Sequence, residues 1–112
     1  MTLNRKNSPY KVVKSEVHNI GRVTVVKDTF LIEGDEYPYT YVINKDSVCI
    51  IPIVGDQVIA IEQYRYTLDQ WMLEFPAGSV DDGESSEAAA KRELEEETGY
   101  ISEKLIYLGE YY

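Results

Sequence analysis

The sequence predicts an α/β (α+β) fold in which an antiparallel meander precedes a sheet-and-helix domain. Residues 10–18, 22–32 and 37–43 are rich in Val, Ile, Thr, Tyr and Phe with partial alternation, and turn clusters around Gly21 and Gly34 separate them. Residues 48–54 form a nearly continuous apolar run, the pattern of a strand. Residues 85–98 contain neither Pro nor Gly, are dominated by Ala and Glu, and run into Gly99, which marks a helix and its end.

Taken in order, the first three segments make a meander, and a boundary near residue 45 divides an N-terminal antiparallel β unit, 1–45, from a second domain, 46–112. The 48–54 run is expected to be a strand buried on both faces. Gly55-Asp56 turns the chain, and residues 57–65 return as a hairpin partner. Residues 71–75 form a short extended piece leading into Pro76-Ala77-Gly78. The helix follows, and residues 104–112 are expected to be a last strand. No internal repeat or low-complexity segment interrupts this order.

A hydrophobic fraction of 44% and 12% aromatic residues in 112 residues describe a folded chain with one modest core. The net charge is −9. Residues 78–99 hold eight acidic and two basic side chains, so −6 of it lies in that one segment. Such a chain is a poor non-specific binder of nucleic acid. Cys49, the only cysteine, sits in the apolar run and is expected to be a small buried hydrophobe. His18, also single, reads as a strand end before a turn. The polar first ten residues carry the expectation of no signal peptide, and no apolar stretch approaches the roughly 20 residues of a membrane span. The expectation is a cytoplasmic protein without a membrane partner.

The acidic helix carries the chemistry. Residues three and four apart are helix neighbours, so Glu93, Glu96 and Glu97 share one face. Like charges at that spacing cost about 0.2–0.5 kcal/mol per pair. They also stand near the C-terminal end, where the macrodipole already disfavours negative charge. A run that weakens its own helix calls for a cation, and hard carboxylate oxygens select Mg²⁺, with Mn²⁺ as the alternative. A solvated acidic face is the plain competing explanation. Against it stands the register of the flanks: Gly78, then Glu84, Arg92-Glu93-Leu94, Glu96-Glu97 and Gly99.

That spacing resembles the Nudix box of hydrolases that split a diphosphate linked to a second group; only Tyr100, where an aliphatic residue is usual, departs from it. The resemblance implies a Nudix-type α/β/α sandwich with a mixed sheet. It implies metal ligands at Glu93, Glu97, Glu96 and the carbonyl of Ala77. Gly78, Glu84, Arg92 and Gly99 correspond to structural positions of the box, with Glu84 and Arg92 fixing the loop against the helix. Gly78 and Gly83 are expected to bracket a sharply turning loop, and Glu95, Asp81, Asp82 and Glu87 to be surface.

Glu62-Gln-Tyr-Arg-Tyr66 and Trp71-Met-Leu-Glu-Phe-Pro-Ala-Gly78, with the N-terminal meander, resemble the ADP-ribose pyrophosphatase branch. There the meander exchanges between two subunits, so a homodimer is implied. Arg65 matches an arginine on the substrate diphosphate, a role its forked guanidinium suits, and Glu74 matches a carboxylate near the substrate. Phe30, Tyr39 and Tyr41 are candidates for an adenine-stacking surface, with simple packing as the equal alternative. The chain stops thirteen residues after Gly99, where that branch adds strands, a loop glutamate and a closing helix. The fold is therefore expected to be incomplete at its C-terminus, as a fragment or as a chain completed by a second copy.

The expected reaction is Mg²⁺-dependent hydrolysis of ADP-ribose or a related nucleoside diphosphate sugar, giving a nucleoside monophosphate and a sugar phosphate. The catalytic candidates are Glu93, Glu96 and Glu97, with Glu96 tried first as the base. The alternatives are another Nudix substrate such as NADH, or a non-catalytic module that binds a nucleotide or a protein partner.

Overall fold

The computed structural model describes residues 5–112. They form two compact units, one ending at Asn44 and the other beginning at Lys45. Residues 1–4 of the expected N-terminal unit lie outside the described residues.

The first unit is a meander of β1 (Lys11–Ile20), β2 (Val23–Ile32) and β3 (Asp35–Ile43), ordered β1-β2-β3 with both ladders antiparallel. At the second hairpin Glu33 and Gly34 both have positive φ, 52° and 94°. That handedness matches the twist of the flanking strands and is easiest for glycine. Alternation along β2 puts Val26, Asp28 and Phe30 on one face, only 2%, 4% and 8% exposed. Val17 and Tyr41 flank Val26, and Ser15 and Tyr39 flank Asp28. A buried carboxylate needs hydrogen-bond donors. Ser15 Oγ donates to Asp28 at 2.6 Å and the Tyr41 hydroxyl at 3.1 Å.

The second unit contains β4 (Ser47–Cys49), β5 (Ile53–Val54), β6 (Gln57–Val58), β7 (Ile61–Arg65), β8 (Gln70–Glu74), β9 (Ala77–Ser79) and α1 (Ser86–Thr98). β4 pairs with β9, β5 with β6, and β7 with β8, all antiparallel. The α+β class expected from the sequence is what the chain adopts. Every ladder among the described residues is antiparallel, and α1 is the α-helix among them.

Three expected strands come out differently. Residues 57–65, expected as one hairpin partner of the 48–54 run, divide into β6, which pairs with β5, and β7, which pairs with β8. The 48–54 run is not one strand buried on both faces. It divides into β4 and β5, and its burial alternates: Ile50 and Pro52 are buried while Cys49, Ile51 and Ile53 are exposed. The break has a backbone cause. The Ile50 amide donates to the Pro76 carbonyl at 2.8 Å, whereas the Pro52 carbonyl accepts from the Ile59 amide at 3.0 Å. The run thus changes partner midway, at a proline that has no N–H for a ladder. Cys49 lies on the uncovered side of this alternation and is exposed, against the expectation of a buried thiol. Residues 104–112, expected as a last strand, form no ladder, and Ile106, Tyr107 and Leu108 are each 77% exposed. A strand persists through its partner's hydrogen bonds, and none of the described strands takes this segment up.

The helix forms as its sequence demands. Ser85 has extended backbone and its Oγ accepts from the Ala88 amide at 3.1 Å, an N-cap. Gly99 closes the other end at φ 76°, its amide donating to Glu95 O at 2.8 Å. α1 packs on β9 and β4, burying Ala89 (0% exposed) and Leu94 (3%). Burying one leucine contributes roughly 1.5–3 kcal/mol, more than the repulsion within the acidic face costs. That contact fixes which side of the helix the glutamates present.

Candidate active site

β9 and α1 bring Ala77 against Glu97 and Gly78 against Glu93, while Glu96 meets neither strand residue. Along β9 the ladder uses Pro76 O, which accepts from Ile50 N, and Val80 N, which donates to Asp46 O, each at 2.8 Å. Paired residues of an antiparallel strand alternate in direction, so the amide and carbonyl of Ala77 turn away from β4. The Ala77 amide donates to Glu97 Oε2 at 3.1 Å. The residue whose carbonyl the sequence offered as a ligand is therefore tied to Glu97 through its amide.

Gly78 has a steric role, not the turning role expected of it. It lies within β9 as the partner of Val48, and a β-carbon built there would fall inside the carboxylate of Glu93. The missing side chain leaves a seat, and the Glu93 side chain, 12% exposed, fills it. Glu96 sits further out, 58% exposed. Glu95, Asp82 and Glu87 are exposed, as expected.

Arg92 stands at the centre of the cluster. Its Nε and Nη2 donate to the two oxygens of Glu84, both at 2.8 Å, a bidentate pair. Nη2 also donates to the Ser79 carbonyl at 3.0 Å. Glu84 in turn accepts from the Asp81 amide at 3.0 Å. The guanidinium of Arg92 first, and the Asp81 amide second, hold the Glu84 carboxyl down at about 2. Glu84 and Glu93, in that order, hold Arg92 more firmly protonated than usual. Loop and helix are thereby clamped. The Ser79 carbonyl carries no side-chain signal in the sequence. Asp81 is exposed, as expected, with its carboxylate 3.6 Å from Arg92 Nη2.

Arg65 and Glu74 meet across the β7–β8 hairpin. Arg65 Nε donates to Glu74 Oε1 at 2.8 Å and Nη2 to Oε2 at 2.6 Å. Glu74 raises the guanidinium's affinity for its proton, and Glu97 adds to this more weakly. In the first unit the three stacking candidates form one ladder with Tyr10. Ring centroids are 5.1 Å apart for Tyr10–Phe30, 5.7 Å for Phe30–Tyr39 and 6.1 Å for Tyr39–Tyr41.

The donor set suits a hard divalent cation: carboxylates at i, i+3 and i+4, one of them seated against Gly78, and a peptide carbonyl outside the ladder. Among the described residues no three acidic, His or Cys side chains converge on one point. Glu93 leans on Arg92 and Glu97 on the Ala77 amide, so a cation at these groups requires side-chain rotation, not a new backbone.

Residues 43–112 match the NUDIX domain family, and the chain belongs to it. Its relatives are of the ADP-ribose pyrophosphatase-like kind. It is 51% identical over 65 residues to ADP-sugar pyrophosphatase of Mus musculus, covering 54% of this chain and 30% of that protein. It is 34% identical over 88 residues to ADP-ribose pyrophosphatase of Bacillus subtilis, covering 78% of this chain and 48% of that protein. The crystal structure of an ADP compounds hydrolase superposes with a TM-score of 0.80 at 31% identity, over 91% of this chain and 57% of that one. The chain therefore spans less than half the length of these two relatives. No helix among the described residues is long and apolar enough to cross a membrane.

Proposed function

We propose that this chain carries the site for Mg²⁺-dependent hydrolysis of the diphosphate bond in ADP-ribose or a related nucleoside diphosphate sugar. The products are a nucleoside monophosphate and a sugar phosphate. The observation that supports this reading is that Glu97 accepts from the Ala77 amide and Glu93 is seated against Gly78, on the helix that also carries Glu96. Glu93, Glu97, Glu96 and the Ala77 carbonyl are the groups that would hold the metal. A divalent cation there supplies charge neutralisation of the diphosphate and a lowered pKa for water.

The chain's own residues do the rest. The Glu84–Arg92 clamp keeps the loop against α1, so that the peptide at Ala77 and the carboxylates stay in register. Arg65 is anchored through Nε and Nη2, and Nη1 is the edge a phosphate oxygen would take. Glu96 is solvent-reached and is our candidate for taking the proton of the attacking water. A cytoplasmic homodimer belongs to the same proposal, and the mass in solution checks the dimer.

The test is phosphorus NMR of ADP-ribose with this chain, with and without Mg²⁺. The expected result is AMP and ribose 5-phosphate only with metal, and none from a folded Glu97→Gln variant. Unchanged turnover in that variant sinks the metal assignment. Metal binding with no turnover favours a binding module instead.

A further inference from the structure

We infer that Arg92 is an exchangeable internal cation: its Nη1 end holds the metal-facing carboxylates until a divalent ion takes them, while its other edge never lets go of the loop. This rests on the metal assignment above and goes beyond it, because it concerns what the glutamates do without metal. Four carboxylates, those of Asp81, Glu84, Glu93 and Glu96, surround one guanidinium. The two ends of that guanidinium have different partners. Nε and Nη2 are bound to Glu84 and the Ser79 carbonyl, none of which is a metal candidate. Nη1 donates to Glu93 Oε1 at 2.7 Å and to Glu96 Oε2 at 3.4 Å, both of which are.

The consequence follows from charge. Without a cation, Glu93 and Glu96 would repel each other across one turn of helix. Nη1 relieves that repulsion and holds Glu93 in the seat above Gly78. A divalent ion on the same oxygens meets a competitor, so Glu93 must rotate away from Nη1 for the ion to bind. The anchored edge keeps Arg92 in place, so the exchange costs one end of one side chain and no movement of the loop. Arg92 is accordingly a positioning residue with two separable halves, not a catalytic one.

The experiment uses the intact chain labelled with ¹³C and ¹⁵N, titrated with Mg²⁺ alone. Arginine side-chain NMR follows Nε and Nη1 of Arg92 separately, and calorimetry on the same sample gives the Mg²⁺ affinity. The expected result is a shift of Nη1 that saturates with the calorimetric affinity, with Nε unmoved. Proton exchange of Nη1 with water should quicken roughly tenfold or more, as for loss of one charge-assisted hydrogen bond. Mg²⁺ binding that leaves Nη1 unmoved overturns the inference and leaves the metal site standing. Equal movement of Nε overturns the two-ended arrangement. No Mg²⁺ binding at all overturns the inference and the metal assignment together.

Discussion

Replacing Gly78 by alanine separates the site from the fold. The added β-carbon would lie inside the Glu93 carboxylate, so the two cannot occupy that space together. What must give is the far end of a flexible side chain, not backbone. The backbone of Gly78 is not in the positive-φ region, so alanine suits it, and lower entropy of the unfolded chain returns about 0.4–1 kcal/mol. Against this stands the lost seat of Glu93 and its contact with Arg92. The net change in stability should stay within about 1 kcal/mol, a midpoint shift of no more than roughly 4–8 °C. The metal site should suffer far more, because a ligand displaced by an ångström or more costs on the order of 10²-fold in function. Scanning calorimetry reads the first quantity; Mg²⁺ titration and metal-dependent product formation read the second. A folded Gly78→Ala chain with unchanged Mg²⁺ affinity would refute the reasoning, and so would a chain that fails to fold.

Two further outcomes are expected. Ser85→Ala removes the acceptor for the Ala88 amide and should lower stability by about 1 kcal/mol, read as a lower urea midpoint; an unchanged midpoint would remove the cap from the account. Glu84 has its folded pKa held down at about 2, from an ordinary 4.5. Its stabilising contribution is therefore complete above pH 4.5 and lost as pH falls from there through about 2. Stability measured against pH should show wild type falling toward Glu84→Gln across that window, and a constant difference between them would contradict the clamp.

Much of this molecule is legible from local sequence because the forces involved are local. The helix over 85–98, the stop at Gly99 and the grouping of Glu93, Glu96 and Glu97 need only helix periodicity and propensity. The three meander strands follow from alternation and turn residues, within two residues at each end. The apolar run at 48–54 misled because its composition reports apolarity, while its division between β4 and β5 depends on two partners distant in sequence. Cys49 and residues 104–112 were misjudged for the same reason: burial and strand pairing belong to what lies opposite, not to the segment itself.

The sequence by itself determined an acidic helix face too repulsive to be ornament. Its family resemblance implied a loop fixed by Glu84 and Arg92 and offered Arg65 and Glu74 separately as substrate-side residues. Only the tertiary structure decided how these groups engage one another. Gly78 is required by the carboxylate that fills its missing side chain, and the Ala77 peptide faces Glu97 because the β4 ladder claims its neighbours. Arg92 reaches past Glu84 to Glu93 and Glu96, and Arg65 rests on Glu74. The Gly78–Glu93 and Ala77–Glu97 contacts join residues far apart along the chain. Such contacts are set by which face of β9 meets which face of α1, and composition and spacing carry no record of that.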